Sequence, residues 1–386
     1  MKKTKLRRRG LALLLGALLT AVAACGGSSS STTKDSAVDT TAESDTTCTT
    51  PDKVSVVLQW VTQSQFAGYY AAEDQGFWAD ECLDVTIQAG GVNVVPAQVL
   101  AAGASEFAVT HALKTMTANE AGAGLINISQ IFQRGGYLQV SWADSGISKL
   151  EDLKGKKVGS WGYGNELILY AGMRLAGLDP EKDSTIIQQP FNMSLLLNRE
   201  VDSVQAKIYN EYAQLLEAVN PDTGKLYQPS DFSIINLNEL GLHSLEDGIY
   251  ARSEWLTDPA HEDIAVRFIK GAMRGWEFCR DSFSECVDIV LNNAPTLGLG
   301  HMTWQLNEIN KLIWPSTSGI GSMDSAAWQA SIDLGVNGGI LKAAQAEPEF
   351  RTDLNDRALA ELADSGVDLK GESFVPQTVI VTEGGK

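Results

Sequence analysis

Basic side chains are scarce in this 386-residue chain: 30 Lys and Arg stand against 48 Asp and Glu, a formal net charge of −18. Six of those cations fall in the opening MKKTKLRRRG, so the remainder carries 24 against 48, a net of −24. That balance argues against nucleic acid or an anionic lipid surface as a partner, since both require basic patches. Beyond Ala24 no apolar run approaches the ~20 residues that a membrane-spanning helix needs. Only four His are present (His111, His243, His261, His301), they are scattered, and no C-x2-C pair accompanies them. No metal site is therefore expected. A G-x-S-x-G nucleophile turn is also missing. GYG at Gly162 to Gly164 lacks the third glycine of a dinucleotide fingerprint, whose place falls on Leu167. No cofactor is expected.

What is present begins with a leader. LALLLGALLTAVAA, an apolar run of 14 residues, follows the basic start, and this order marks a secretory signal over residues 1–24. The run ends in VAAC, Val22 to Cys25. Small residues before a Cys resemble the bacterial lipobox, in which Cys25 becomes the lipidated first residue of the mature chain; an ordinary cut near Ala24 is the competing reading. GGSSSSTTKDSAVDTTAESDTT then has too few apolar residues to fold, so residues 25–52 read as a flexible tether. RRR leaves twin-arginine export open. The chain is thus expected outside the cytoplasm, anchored to the bacterial cell membrane through Cys25. Cys48, Cys82, Cys279 and Cys286 then lie in a disulfide-permissive compartment. Four Cys allow three connectivities, of which Cys48–Cys82 and Cys279–Cys286 are favoured.

From Lys53 strand-like and helix-like segments alternate. KVSVVLQW, LDVTIQAG and EFAVTHA read as strands separated by the helices FAGYYAAEDQGF and VVPAQVLAAG. NISQIFQRGGYLQVSW reads as one long extended crossing segment. A second series opens at ISKLEDLKGKKVGSW and runs through NELILYAGMRLAGL, STIIQQP, MSLLLNREV and SVQAKIYNEYAQLLEAV. The chain after HSLEDGIYARSEWL reads as mostly helical. Alternation of this kind predicts α/β layers with parallel sheets. The length after the tether exceeds one typical domain, so two lobes are expected, the first from residues 53–140 and 248–386, the second from 141–247. Ligands in open α/β sheets bind beyond the carboxyl ends of strands. That rule points to WVTQSQF, THA, SWGYGNE, PFNMS and IYNEY.

L-x-W, the helix with A-G-x-Y, the following G-F and L-D-V together resemble one superfamily. It comprises nitrate, sulfonate and taurine-binding proteins of ABC importers, thiamine-precursor-binding proteins and thiamine pyrimidine synthase. AAGASEFAV and LEDLKGKKVG match as well, while IYNEYAQLLE, GWEFCRDSFSECVDIVL and EINKLIWPS resemble a vitamin-type branch that includes riboflavin. The resemblance spans Lys53 to about Gly384. It implies a type II periplasmic-binding-protein fold that closes on a small molecule and delivers it to ABC permease and ATPase subunits, as a monomer. The synthase branch uses a pyridoxal phosphate lysine, a reactive His and a cysteine-rich run. Here the His position falls on Phe66, the lysine position falls on or near Thr110, and HSLEDGIYA replaces the cysteines. A binder rather than an enzyme is expected.

Candidate ligand contacts follow from the strand ends. Trp60, Gln63, Gln65 and Phe66 precede or begin a helix and are placed in the cleft, whereas Tyr70 is assigned to the core and Gly68 to close packing. Across from them, Trp161 and Tyr163 flank the glycine turn and Asn165 opens a helix, where capping explains it equally well. Asn192 reads as a cap or a contact. In YNEY, Tyr209, Asn210 and Glu211 offer a carboxylate beside phenol rings. Thr110 and His111 end a strand of the first lobe. Rings with amides suit a flat nitrogen heterocycle, such as a thiamine pyrimidine precursor or a riboflavin-like vitamin. An Arg or Lys cluster, which would suit a sulfonate or nitrate, is not found in these loops. Sulfonate, taurine or nitrate binding is the alternative, and a sensor or scaffold role is a third.

Overall fold

KVSVV and LDVTIQ are rich in β-branched residues, which suit a pleated strand, and they pair in parallel as β1 (Asp52–Val57) and β2 (Leu83–Gln88). These belong to a computed structural model that describes residues 48–386; the expected leader, Cys25 and most of the tether lie outside the described residues. The first sheet adds β3 (Phe107–Thr110) and β4 (Leu125–Gln130). A second sheet holds β5 (Tyr137–Trp142), β6 (Lys157–Ser160), β7 (Thr185–Gln188) and β8 (Ser203–Lys207). A short hairpin, β9 (Val219–Asn220) with β10 (Lys225–Leu226), precedes β11 (Phe232–Asn236) of the second sheet and β12 (Gly248–Arg252) of the first. The orders are β2-β1-β3-β12-β4 and β11-β5-β8-β6-β7.

Neither sheet is purely parallel. β12 is antiparallel to β3 and β4, and β5 is antiparallel to β8 and β11. Each is the strand by which the chain arrives from the other sheet. A chain entering at the carboxyl ends of parallel strands can only run back down them. The stretch 125–142 is therefore two strands rather than one crossing segment. β5 pairs wholly in the second sheet, so the first crossing falls in 131–136, ahead of the expected boundary at 140/141. The return crossing is 237–247.

After β12 the described chain is mainly helical. Asp258 caps helix Pro259–Asp281 by accepting from the Ala260 amide at 2.9 Å. That helix lies against helix Ala67–Asp74, whose Gly68 faces Gly275. A methyl group at Gly275 would sit 1.9 Å from the Gly68 carbonyl oxygen, and one at Gly68 would sit 2.3 Å from the Trp276 ring. Both glycines serve close packing. Disulfides join Cys48 to Cys82 and Cys279 to Cys286, the second across the break between helices Pro259–Asp281 and Phe283–Asn293. Gly275→Ala is expected to destabilise the protein by about 1–3 kcal/mol through overpacking, read as a lower urea midpoint with an unchanged slope.

Candidate functional site

The carboxyl ends of the strands from the two sheets face each other, and the side chains they carry meet there. An inner cavity of about 30 Å3 is lined by Gln59, Trp60, Gln63, Gln65 and His111 on the first lobe, and by Trp161, Asn165, Lys207, Tyr209, Asn210 and Glu211 on the second. This is room for about one or two waters, so the lobes stand closed over it. Trp60 meets Trp161 edge-on at 6.1 Å and Phe191 at 5.2 Å between ring centroids.

Hydrogen bonds run in chains along both walls. Gln63 Nε2 donates to Gln65 Oε1 at 2.8 Å, and Gln65 Nε2 donates to Asp247 Oδ2 at 2.6 Å. His111 Nε2 lies 3.1 Å from Asp247 Oδ1, with its Nδ1 3.3 Å from the Tyr137 hydroxyl. Burial, reinforced by Lys207 and Lys114, holds the His111 pKa well below its usual range. The neutral ring thus donates from Nε2 to the carboxylate and accepts at Nδ1 from the phenol. Asp247 sits at φ +42°, a conformation rare outside glycine. Burial raises its pKa to about 6.

On the second lobe, Glu211 accepts from the Lys207 backbone amide at 3.0 Å and from Asn210 Nδ2 at 2.7 Å. Desolvation raises the Glu211 pKa. Lys207 forms an ion pair with Glu246 and stands 3.1 Å above the Tyr137 ring centroid. Asn165 accepts at Oδ1 from Lys114 Nζ at 2.8 Å and from Gln59 Nε2 at 3.3 Å, two bonds that cross between lobes. Beyond Lys114 opens an outer compartment of about 690 Å3, walled by Ala97, Ala101, Ala118, Tyr163, Glu166 and Leu167.

Of the expected contacts, Trp60, Gln63, Gln65, His111, Trp161, Asn165, Tyr209, Asn210 and Glu211 are brought together around the inner cavity. Four are placed elsewhere. The Phe66 ring is fully buried in the first lobe's core, because it stands at the junction of the turn Ser64–Phe66 and helix Ala67–Asp74 and points inward. Thr110 lies behind the cavity wall and donates to Gln59 Oε1 at 2.8 Å. Tyr163 is 50% exposed and borders the outer compartment. Asn192 is exposed two residues ahead of helix Ser194–Leu197, where its side chain accepts from the Ser194 amide at 3.1 Å rather than occupying the cap position, which falls on Met193.

Gln59, Lys114, Lys207, Glu246, Asp247 and Phe191 were not anticipated. Gln59 shares the strand-end signal of Trp60, and Lys207 ends β8 just before YNEY, so both were within reach of that rule. Lys114 sits in helix Ala112–Glu120, where a lysine ordinarily faces solvent, and nothing local marks it. The expectation that the cleft loops hold no Arg or Lys cluster did not foresee two lysines from outside those loops, Lys114 and Lys207, both of which are buried beside the cavity.

Two α/β lobes closing over a cleft at the strand ends define the type II periplasmic-binding-protein fold. The alkanesulfonate-binding protein SsuA from Xanthomonas axonopodis pv. citri, solved bound to MOPS, has the same fold: TM-score 0.58, 14% identity, 78% of this chain and 99% of that one. The NMT1/THI5-like family profile matches residues 63–283, more than half of the chain, and the chain belongs to that family. Among its relatives, a formylaminopyrimidine-binding protein of Halalkalibacterium halodurans is 24% identical over 63% of this chain and 71% of its own length. The riboflavin-binding protein RibY of Chloroflexus aurantiacus is 22% identical over 80% and 87%. A 4-amino-5-hydroxymethyl-2-methylpyrimidine phosphate synthase of Legionella pneumophila is 24% identical over 35% and 42%.

Desolvation and the nearby Lys207 charge lower the Lys114 pKa to about 7. Its ammonium form therefore costs folding stability at and below neutral pH, and the cost fades between about pH 7 and 10.5, where the unfolded lysine also loses its proton. Lys114→Met is expected to stabilise the protein by about 1–4 kcal/mol at pH 7. Urea titrations at pH 7 and pH 10 check this, the gain being smaller at pH 10.

Proposed function

We propose that this protein is the solute-binding component of an ABC importer, held outside the cytoplasm by lipidated Cys25, and that its ligand is a flat nitrogen heterocycle bearing N–H or amino donors. The observation that carries this reading is the buried Glu211 carboxylate on the same cavity as the rings of Trp60, Trp161 and Tyr209. A carboxylate suits a donor, and aromatic walls suit a flat ring. Trp161 adds an indole N–H that has no partner among the described residues, suited to a ligand acceptor.

Lys114 and Lys207 favour the second reading, a sulfonate or similar anion. Lys207 is neutralised by Glu246, however, and Asp247 and Glu211 add two further carboxylates within the same hydrogen-bonded walls. A small anion would face more buried negative than positive groups. The family relatives that bind a pyrimidine or riboflavin support the heterocycle. The outer compartment gives a substituted or tricyclic ring room that the inner cavity lacks.

Binding without catalysis is the reading for the chemistry. A pyridoxal-dependent synthase site is a poor fit to these residues: Phe66 lies in the core where the resemblance places the reactive His. The segment replacing the cysteine run supplies Ser244, Glu246 and Asp247 in place of thiols.

A thermal-shift panel of aminopyrimidines, flavins, sulfonates and nitrate tests the ligand class. A heterocycle at 100 times its Kd should stabilise the protein by about 2.7 kcal/mol; a shift with a sulfonate alone would overturn the reading. Glu211→Gln should weaken heterocycle binding by roughly tenfold or more, through loss of a charged hydrogen bond, with circular dichroism unchanged. For the anchor, Cys25→Ser should move the protein from the membrane fraction to the soluble exported fraction.

A further inference from the structure

Helix Leu299–Ile313 touches both walls of the cleft. On the first lobe, Ser64 Oγ donates to the Met302 carbonyl at 2.9 Å and the Gln65 amide donates to Gln305 Oε1 at 2.9 Å. Towards the second lobe the same helix sends out His301. Its Nδ1 lies 2.8 Å and 3.0 Å from the two Glu217 carboxylate oxygens, and its Nε2 lies 2.8 Å from Asn210 Oδ1. Asn210 in turn gives Nδ2 to Glu211 at 2.7 Å. A continuous path, Glu217–His301–Asn210–Glu211, thus leads from the lobe boundary to the cleft carboxylate.

The donor and acceptor roles along that path fix the state of the ring. Carboxylate and amide oxygens only accept, so both ring nitrogens must donate. Turning the Asn210 amide would offer Nδ2 to His301 but would bring Oδ1 against Glu211 Oε1, two acceptors face to face. With Glu211 and Glu217 ionised, the arrangement is satisfied in full only by an imidazolium. Charged groups on the elements packed against this helix are Glu211 and Glu217 on helix Glu211–Glu217, Glu285 and Asp288 on helix Phe283–Asn293, and Glu383 with Lys386 at the turn Glu383–Gly385. Of all these, Glu217 alone lies within ion-pair distance of His301 among the described residues.

We propose that protonated His301 is a positioning residue and a proton-controlled latch: it ties the lobes together through Glu217 and Asn210, and it holds the Asn210 amide so that Glu211 faces the cleft as a carboxylate. When the ring loses its proton, the Glu217 bond persists and Nε2 meets the Asn210 oxygen lone pair to lone pair. The amide then turns or the lobes part. Either way Glu211 loses an oriented donor, and the grip on a ligand N–H weakens. The consequence for binding rests on the heterocycle reading above; the state of the ring does not.

Two measurements separate them. In protein labelled with 15N-histidine, with His301→Gln used to assign the signal, His301 should show the imidazolium pattern at pH 6 in the ligand-free wild type. Glu217→Gln should lower the pH at which that pattern is lost. A neutral tautomer at pH 6, or no response to Glu217→Gln, would overturn the latch without any ligand being involved. In the binding arm, calorimetry with riboflavin and with 4-amino-5-hydroxymethyl-2-methylpyrimidine is run between about pH 5.5 and 9, the range across which a histidine switch operates. Wild-type affinity for whichever probe binds should fall about three- to tenfold at the alkaline end. His301→Gln should be weak throughout, with that part of the pH dependence removed. His301→Arg, charged across the whole range and able to donate at both ends, should keep affinity at high pH. Equal pH profiles in wild type and His301→Gln overturn the positioning role. If wild type binds neither probe, the heterocycle reading falls and the labelled-histidine result alone judges the latch.

Discussion

Lys207 and Glu246 are both almost wholly excluded from water, and neither tolerates burial without the other. Leaving one of them unpaired costs about 3–5 kcal/mol, and their positions make that cost a constraint on the whole molecule. Lys207 ends β8, beside Tyr137 at the start of β5. Glu246 belongs to the return crossing and accepts from the Gly136 amide of the first crossing at 2.9 Å. One carboxylate therefore holds both chain crossings against the second sheet. Its neighbour Asp247 reaches the first lobe through Gln65 and His111. The floor of the cleft is thus assembled from charges that have their partners only when both crossings are in place.

Above that floor the two walls are held together less firmly. The lobe-to-lobe contacts near the mouth are the Asn165 bonds from Gln59 and Lys114 and the edge contacts of Trp60 with Trp161 and Phe191. Neutral amide bonds contribute about 1 kcal/mol each, and an amine that loses its proton near neutral pH adds little more. Groups at the mouth can exchange one another for a ligand at modest cost, while the floor stays paired. This gradient, strong below and weak above, is what a hinged binder requires.

The alternation of strands and helices was legible because strands in these sheets are short apolar runs bounded by turns, and helices carry their own period. The direction of β5 and β12 was not, since antiparallel entry is decided by where the chain comes from and leaves no local mark. Strand-end position brings Trp60, Gln65, Trp161 and Glu211 to the inner cavity, because the carboxyl edge of a sheet is where backbone geometry opens a crevice. It failed for Phe66, whose ring turns to the core. Lys114 and His301 escaped notice for a different reason. Each lies on a helix, where local sequence predicts exposure, and each meets its polar partners in the opposite lobe.

The bond between Cys48 and Cys82 has a mechanical consequence. It ties the chain just ahead of β1 to the residue just ahead of β2, at the starting ends of two adjacent parallel strands. Tension arriving through the residues before 48 is divided between those strands. Loaded together at the same end, the two strands do not slide against each other, so their ladder from Asp52 and Leu83 to Val57 and Gln88 is spared and β1 is not peeled away alone. The load enters at the edge farthest from Gln59 and Trp60. A pull at that point leaves the jaws at the opposite edge in alignment.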